Sequence, residues 1–200
     1  MPGANLSPDQ ALDQLMAGNA RYTASDDTYT PDFSVSRAAL KDYITPLAGI
    51  LGCADARVAA EMIFDRGPGD LFMVRVAGNF VSEYGLASLE YCVEFLEVPL
   101  LMVLGHSQCG ALTSAVRVVQ EAKVLPGRLP ILIDAVEPAV HIAQLQHPED
   151  LLNTAIEENV KRQVRRLSTL SPVIHTALLE ERVKVVGAVY DLATGRVNLI

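Results

Sequence analysis

Cysteine is scarce in this chain, with three in 200 residues. An odd number at so low a density disfavours a disulfide scaffold and leaves reduced thiols, metal ligation or a catalytic thiol. No C-x-x-C occurs, which removes the usual signature of a dithiol redox protein. No apolar run approaches the roughly 18 residues that span a bilayer. A basic surplus is missing too: 16 Lys+Arg stand against 24 Asp+Glu, for a net charge of −8. That balance argues against a general nucleic-acid binder. The first residues, Met1-Pro2-Gly3-Ala4-Asn5, show no basic region followed by an apolar stretch. No signal peptide is read, and a cytoplasmic location is expected. Internal repeats, low-complexity tracts and a clear inter-domain linker are absent as well.

What is present suits a folded enzyme-sized domain. Half of the residues are apolar, too many for a disordered chain. A chain of this length buries roughly 70% of its unfolded surface without staples. One domain over residues 1–200 is expected, with an N-terminal helical arm over 1–40 and an α/β core over 47–200. Ser7-Pro8-Asp9-Gln10 has the form of a capping box with proline in the first turn. Ala11, Leu12, Leu15 and Met16 follow at helical spacing, and Gly18-Asn19 is read as the stop. Residues 22–33 read as a polar loop or arm.

Short apolar runs then alternate with helical patterns. Leu47–Leu51, Leu71–Val76, Leu100–Leu104 and Val183–Tyr190 read as strands, and 191–197 as a turn into a last short strand. Glu83–Leu96, Ala111–Lys123 and Pro148–Leu170 read as helices. The last shows Leu152, Ile156, Val160, Val164 and Leu167 on one face, with Glu157–Lys161 and Glu158–Arg162 paired at i,i+4. Strands alternating with helices indicate an α/β fold: a central, mostly parallel β-sheet flanked by helices. Near-continuous apolar strands are what a sheet buried on both faces requires.

Two clusters could carry chemistry, and both follow a strand. One is Cys53-Ala54-Asp55-Ala56-Arg57, the other His106-Ser107-Gln108-Cys109-Gly110. Ligands in open α/β sheets gather at the carboxyl ends of strands near a topological switch point. Cys53, His106 and Cys109 supply two thiolates and an imidazole, a set that leaves a fourth zinc position open, and soft ligands favour zinc over hard cations. Gly105 and Gly110 are read as giving a compact turn its room. Asp55 beside Arg57 stays ionised at neutral pH. It could orient a water on the metal, or be the fourth ligand of a closed site; the plain alternative is a charge at a helix start beside an exposed Arg. Cys92 sits on an apolar helix pattern and reads as core. His141, His147 and His175 have no such companions and read as incidental or structural.

At these residues the sequence resembles the β-class carbonic anhydrases, whose C-x-D-x-R and distant H-x-x-C motifs are both present. The likeness extends to Gly69-Asp70-Leu71-Phe72 with Arg75 and Ala77-Gly78-Asn79, to Ser88-Leu89-Glu90-Tyr91, to Asn159-Val160 with Gln163-Val164, and to Tyr190-Asp191-Leu192 with Thr194-Gly195. It covers roughly residues 47–200. Ala56 stands where the family usually has Ser, Val76 where Asn often follows the Arg, and Gly67 where some branches carry Gln.

The resemblance implies one Zn2+ per subunit held by Cys53, His106 and Cys109, and Asp55 with Arg57 as the catalytic dyad. It implies reversible hydration of CO2 to bicarbonate and a proton through a zinc-held hydroxide, making the chain a carbonate dehydratase, a zinc lyase. It also implies a homodimer or homotetramer in which the N-terminal helical arm packs on a partner subunit, acting on a small molecule and neither nucleic acid nor membrane. Two alternatives stay open. One is hydrolysis of carbonyl sulfide or carbon disulfide on the same zinc site, since those molecules are also linear and electrophilic at carbon. The other is a non-catalytic zinc-binding protein, in which Asp55 or Arg57 need not be kept.

Overall fold

A computed structural model describes residues 6–24, 40–41 and 44–200. Among these residues five strands form one sheet: β1 (Ala48–Gly52), β2 (Leu71–Arg75), β3 (Leu100–His106), β4 (Lys184–Tyr190) and β5 (Val197–Leu199). They lie in the order β2-β1-β3-β4-β5. The first four are parallel, and β5 returns antiparallel to β4. Every residue of β1 and β3 is buried, which is why those segments read as unbroken apolar runs.

Among the described residues seven helices accompany the sheet: α1 (Pro8–Ala24), α2 (Ala60–Ile63), α3 (Glu83–Glu94), α4 (Gly110–Glu121), α5 (Leu129–Leu145), α6 (Leu151–Leu170) and α7 (Pro172–Leu179). On one face α1 and α2 bring Ala11, Leu15, Ala60 and Ile63 against Ile50, Met102 and Leu104. On the other α3, α6 and α7 bring Leu89, Val160 and Ile174 against Leu51, Leu101 and Val103. The alternation of Leu101, Met102 and Val103 between these two cores follows the period-2 pleat. A third core, of α4, α5 and the start of α6, lies against Cys53 and Cys109. No helix among the described residues is long and apolar enough to cross a membrane.

The chain leaves β1 for β2 on one side and later returns to place β3 on the other side of β1. The carboxyl ends of β1 and β3 therefore flank the switch point, and the two chemical clusters follow those strands directly.

Two differences from the sequence expectations have physical causes. The capping box forms as expected, with Gln10 N donating to Ser7 Oγ (3.2 Å) and Ser7 N to Gln10 Oε1 (2.9 Å). Gly18-Asn19 do not stop α1, however, which runs on to Ala24. A Cβ at Gly18 would lie 1.9 Å from the Phe64 carbonyl oxygen, so this glycine permits close packing. Asn19 is spent on tertiary bonds, donating to the carbonyls of Ile63 (3.1 Å) and Gly195 (2.9 Å) and accepting from Val197 N (2.9 Å).

Second, α5 has no counterpart among the expected helices. Ile133, Val136, Val140 and Ala143 are buried at helical spacing, but Pro138 interrupts the pattern, and an internal proline removes a helical hydrogen bond. The short helices α2 and α7 are likewise unexpected. Helix α1 also packs on its own chain through Ala11 and Leu15. Of the polar segment read over 22–33, residues 22–24 belong to α1 and 25–33 lie outside the described residues.

Candidate metal centre

β1 ends at Gly52 and the chain turns at once. Val76 N donates to Gly52 O (3.1 Å) and Ala54 N to Val76 O (3.3 Å). Arg75 completes the turn from the neighbouring strand: Nε donates to Cys53 O (2.9 Å) and Nη2 to Asp55 O (2.6 Å). Cys53 Sγ, buried, accepts a hydrogen bond from Gly78 N (3.3 Å).

The second cluster is built by the end of β3. His106 is its last residue and is fully buried. Gly105 before it is required, because a Cβ there would meet Val160 Cγ2 at 2.6 Å. Gln108 takes a left-handed backbone (φ 53°), which folds the chain back so that Cys109 becomes the N-cap of α4. A Cβ at Gly110 would meet nothing within 4 Å. The expectation that the turn forces a small residue there is therefore corrected: the missing side chain leaves open space instead.

The ligand atoms of Cys53, His106 and Cys109 all lie within 4.8 Å of one another, and all three residues are buried. This is the group among the described residues that could hold a metal ion. His106 Nδ1 lies 3.0 Å from the Ser107 carbonyl oxygen, so that nitrogen carries the proton and Nε2 keeps its lone pair. His106 Nε2 is buried and has no hydrogen-bond partner, a costly state for a polar atom unless something else binds it. The two thiols are crowded together. The Cys109 thiol beside Cys53 lowers the Cys53 pKa against the opposing effect of burial, aided by His106 and Gly78 N–H. Cys109 is pushed up in turn, by Cys53 and by burial. Two thiols placed this close oppose each other's ionisation, and a cation between them is what lets both ionise. All three cysteines are free thiols.

Asp55 lies at the rim. Its Oδ1 accepts from Arg57 N (3.0 Å) and Nε (2.9 Å), and its Oδ2 accepts from Arg57 Nη2 (2.8 Å). The Arg57 side chain holds this carboxyl well below the usual carboxylate range. Asp55 Oδ2 is 4.0 Å from His106 Nε2.

A family model for carbonic anhydrase matches residues 48–197. The chain is 35% identical over 199 residues to a carbonic anhydrase of Mycolicibacterium smegmatis, covering 100% of this chain and 95% of that one. Among solved structures, the β-carbonic anhydrase of Coccomyxa in complex with acetazolamide is 27% identical with a TM-score of 0.72, over 98% of this chain and 86% of that one. A tetrameric β-carbonic anhydrase of Sordaria macrospora is 26% identical with a TM-score of 0.74, over 82% and 84%. The chain belongs to the β-carbonic anhydrase family.

Membership makes it an enzyme of the carbonate dehydratase class. This β-carbonic anhydrase has an apolar cavity of about 240 Å³ whose lining includes Gly110, next in the chain to Cys109, and Ala77, next to Gly78. Ala77, Gly110 and Ala111 line it together with Leu129, Leu132 and Ile133 of α5. The α5 residues carry no motif, so nothing in the sequence marks their part in the site. The Gly78 N–H is likewise invisible there, being a backbone group. Cys92 is core as expected: fully buried, with its thiol pushed up to about 12 by burial. His141 pairs with Glu137 (3.0 Å) on an exposed face, and neither His147 nor His175 joins the Cys53–His106–Cys109 group.

Proposed function

We propose that this chain catalyses the reversible hydration of CO2 to bicarbonate and a proton, with Zn2+ held by Cys53, His106 and Cys109. The observation that carries this reading is the buried, partnerless His106 Nε2 facing two thiol sulfurs. Two thiolates and one imidazole fit zinc and leave one position for a non-protein ligand. Zinc so held supplies Lewis acidity, bringing the pKa of a water from about 15.7 toward 7.

The protein's own groups do the rest. Asp55, kept ionised by Arg57, accepts a hydrogen bond from the attacking oxygen and orients it. Both Asp55 oxygens are engaged by Arg57, which supports an open site over one closed by Asp55 as fourth ligand. The Ser107 carbonyl fixes the tautomer of His106. The apolar cavity offers CO2 a place with few competitors for the electrophilic carbon.

One domain acting as a homodimer or homotetramer fits this reading. The Sordaria relative is tetrameric. Here the outer edge of β2 has no partner among the described residues, and Tyr84, Tyr91 and Phe95 stand exposed on the adjoining α3.

Zinc content and CO2 hydration rate, measured together, test the proposal. The parent chain is expected to hold one zinc per subunit and turn over. Cys53→Ala should lose both, and a zinc-free chain with full activity would sink the assignment. Carbonyl sulfide assayed beside CO2 should be the poorer substrate; the reverse order overturns the choice of CO2. Acetazolamide, bound by the Coccomyxa enzyme, is expected to inhibit.

A further inference from the structure

Helix α6 sends two fully buried amides toward the metal centre. Asn159 and Gln163 are 1% and 0% exposed. Asn159 Nδ2 donates to the Gly78 carbonyl (2.9 Å), Gln163 Nε2 donates to Asn159 Oδ1 (3.0 Å), and Gln163 Oε1 accepts from Val81 N (3.1 Å). The loop from Gly78 to Val81 is thereby gripped at both ends by one helix. The chain of bonds runs in one sense only. The Val81 N–H can only donate and the Gly78 carbonyl can only accept, so each amide must both donate and accept, in a single orientation.

What the grip holds is chemically significant. Gly78 offers its carbonyl to Asn159 and its N–H to Cys53 Sγ. It does so with φ +81°, and a Cβ there would meet Ala111 Cβ and Val136 Cγ1 at 3.1 Å each, so the backbone is seated on three sides. A hydrogen bond to a thiolate ligand orients its lone pairs and withdraws charge from them, which tunes the metal the thiolate binds.

We propose that Asn159 and Gln163 are positioning residues of the metal centre: by clamping residues 78–81 they aim the Gly78 N–H at Cys53 Sγ. This rests on the metal reading given above. Neither amide touches substrate; both act through the loop. A pair serving the fold alone would move stability and nothing else.

The experiment uses the full chain carrying Asn159→Ala or Gln163→Met, with Asn19→Ala as a control that removes a buried amide elsewhere. Three readouts are taken: the rate of zinc loss to a chelator, the thiolate-to-metal charge-transfer band of the cobalt-substituted protein, and the thermal midpoint. Both clamp variants should lose zinc about 10- to 100-fold faster than the parent and shift the cobalt band, while Asn19→Ala lowers the midpoint and leaves both metal readouts unchanged. Gln163→Met leaves Asn159 bonded to Gly78, and it serves if Asn159→Ala does not fold. Clamp variants that lose stability with parental zinc loss and an unshifted band overturn the clamp alone. A parent chain that takes up neither zinc nor cobalt overturns the metal reading and the clamp with it.

Discussion

Asp55 and Arg57 are two residues apart and meet through a turn in which the carboxylate bonds the backbone and side chain of the same arginine. An aspartate so held is rigid, and rigidity is what an orienting acceptor needs. Asp55→Ala should therefore keep its zinc and lose on the order of 10- to 100-fold in turnover, as removal of a group just outside the ligand shell does. Undiminished CO2 hydration in that variant would remove Asp55 from the mechanism. Both motif residues are legible in sequence because their spacing is local. Arg75 stands out there only as part of a matching stretch. Its two bonds to the carbonyls of Cys53 and Asp55 depend on strand pairing that no local pattern reveals.

Helix α1 is packed through Ala11 and Leu15 and tied by hydrogen bonds at Asn19. Asn19 joins it to α2 and to the β4–β5 hairpin through three hydrogen bonds. Asn19→Leu would leave two carbonyls and one N–H unpaired, at about 1–3 kcal/mol for an unsatisfied buried group; urea titration measures the loss. Gly18→Ala drives a methyl into the Phe64 carbonyl and should cost about 1–3 kcal/mol as overpacking. In the hairpin, Asp191 accepts from Thr194 N (2.7 Å), Thr194 Oγ1 (2.9 Å) and Ala193 N (3.0 Å). Its pKa is lowered, first by the Thr194 backbone bond and then by the Thr194 hydroxyl. A carboxyl depressed in the folded state contributes stability above its unfolded pKa of about 3.9, and that contribution fades as pH falls through the folded value. The stability gap between the parent and Asp191→Ala is thus expected to be constant above about pH 5 and to narrow below about pH 4, as thermal midpoints across pH will show.

At the scale of the molecule, the sheet and the metal centre are separable. Two large cores sandwich the sheet without using any proposed ligand, and only the third includes Cys53 and Cys109. Removing zinc with a chelator should leave a cooperatively unfolding chain of lower stability. Free zinc at about a hundred times its dissociation constant should restore about 2.7 kcal/mol by mass action. Loss of the cooperative transition on chelation would show that the metal holds the fold together. The net charge of −8 has no bearing on a substrate as small and neutral as CO2.

The α/β class, the approximate course of five strands, and the grouping of Cys53, His106 and Cys109 can all be read from the residues in order. Pleat and helix periodicities are local, and soft ligands at strand ends are few. Cys92 is told from the other two by its apolar neighbours alone. Other features needed the folded chain: that β1 and β3 lie side by side, that α5 walls the cavity, and that Gly18 and Asn19 pack α1 instead of ending it. Those outcomes depend on contacts between residues far apart in the chain, such as Asn19 with Val197 and Asn159 with Gly78. A backbone carbonyl or N–H looks the same at every position in a sequence, and only folding gives it a partner.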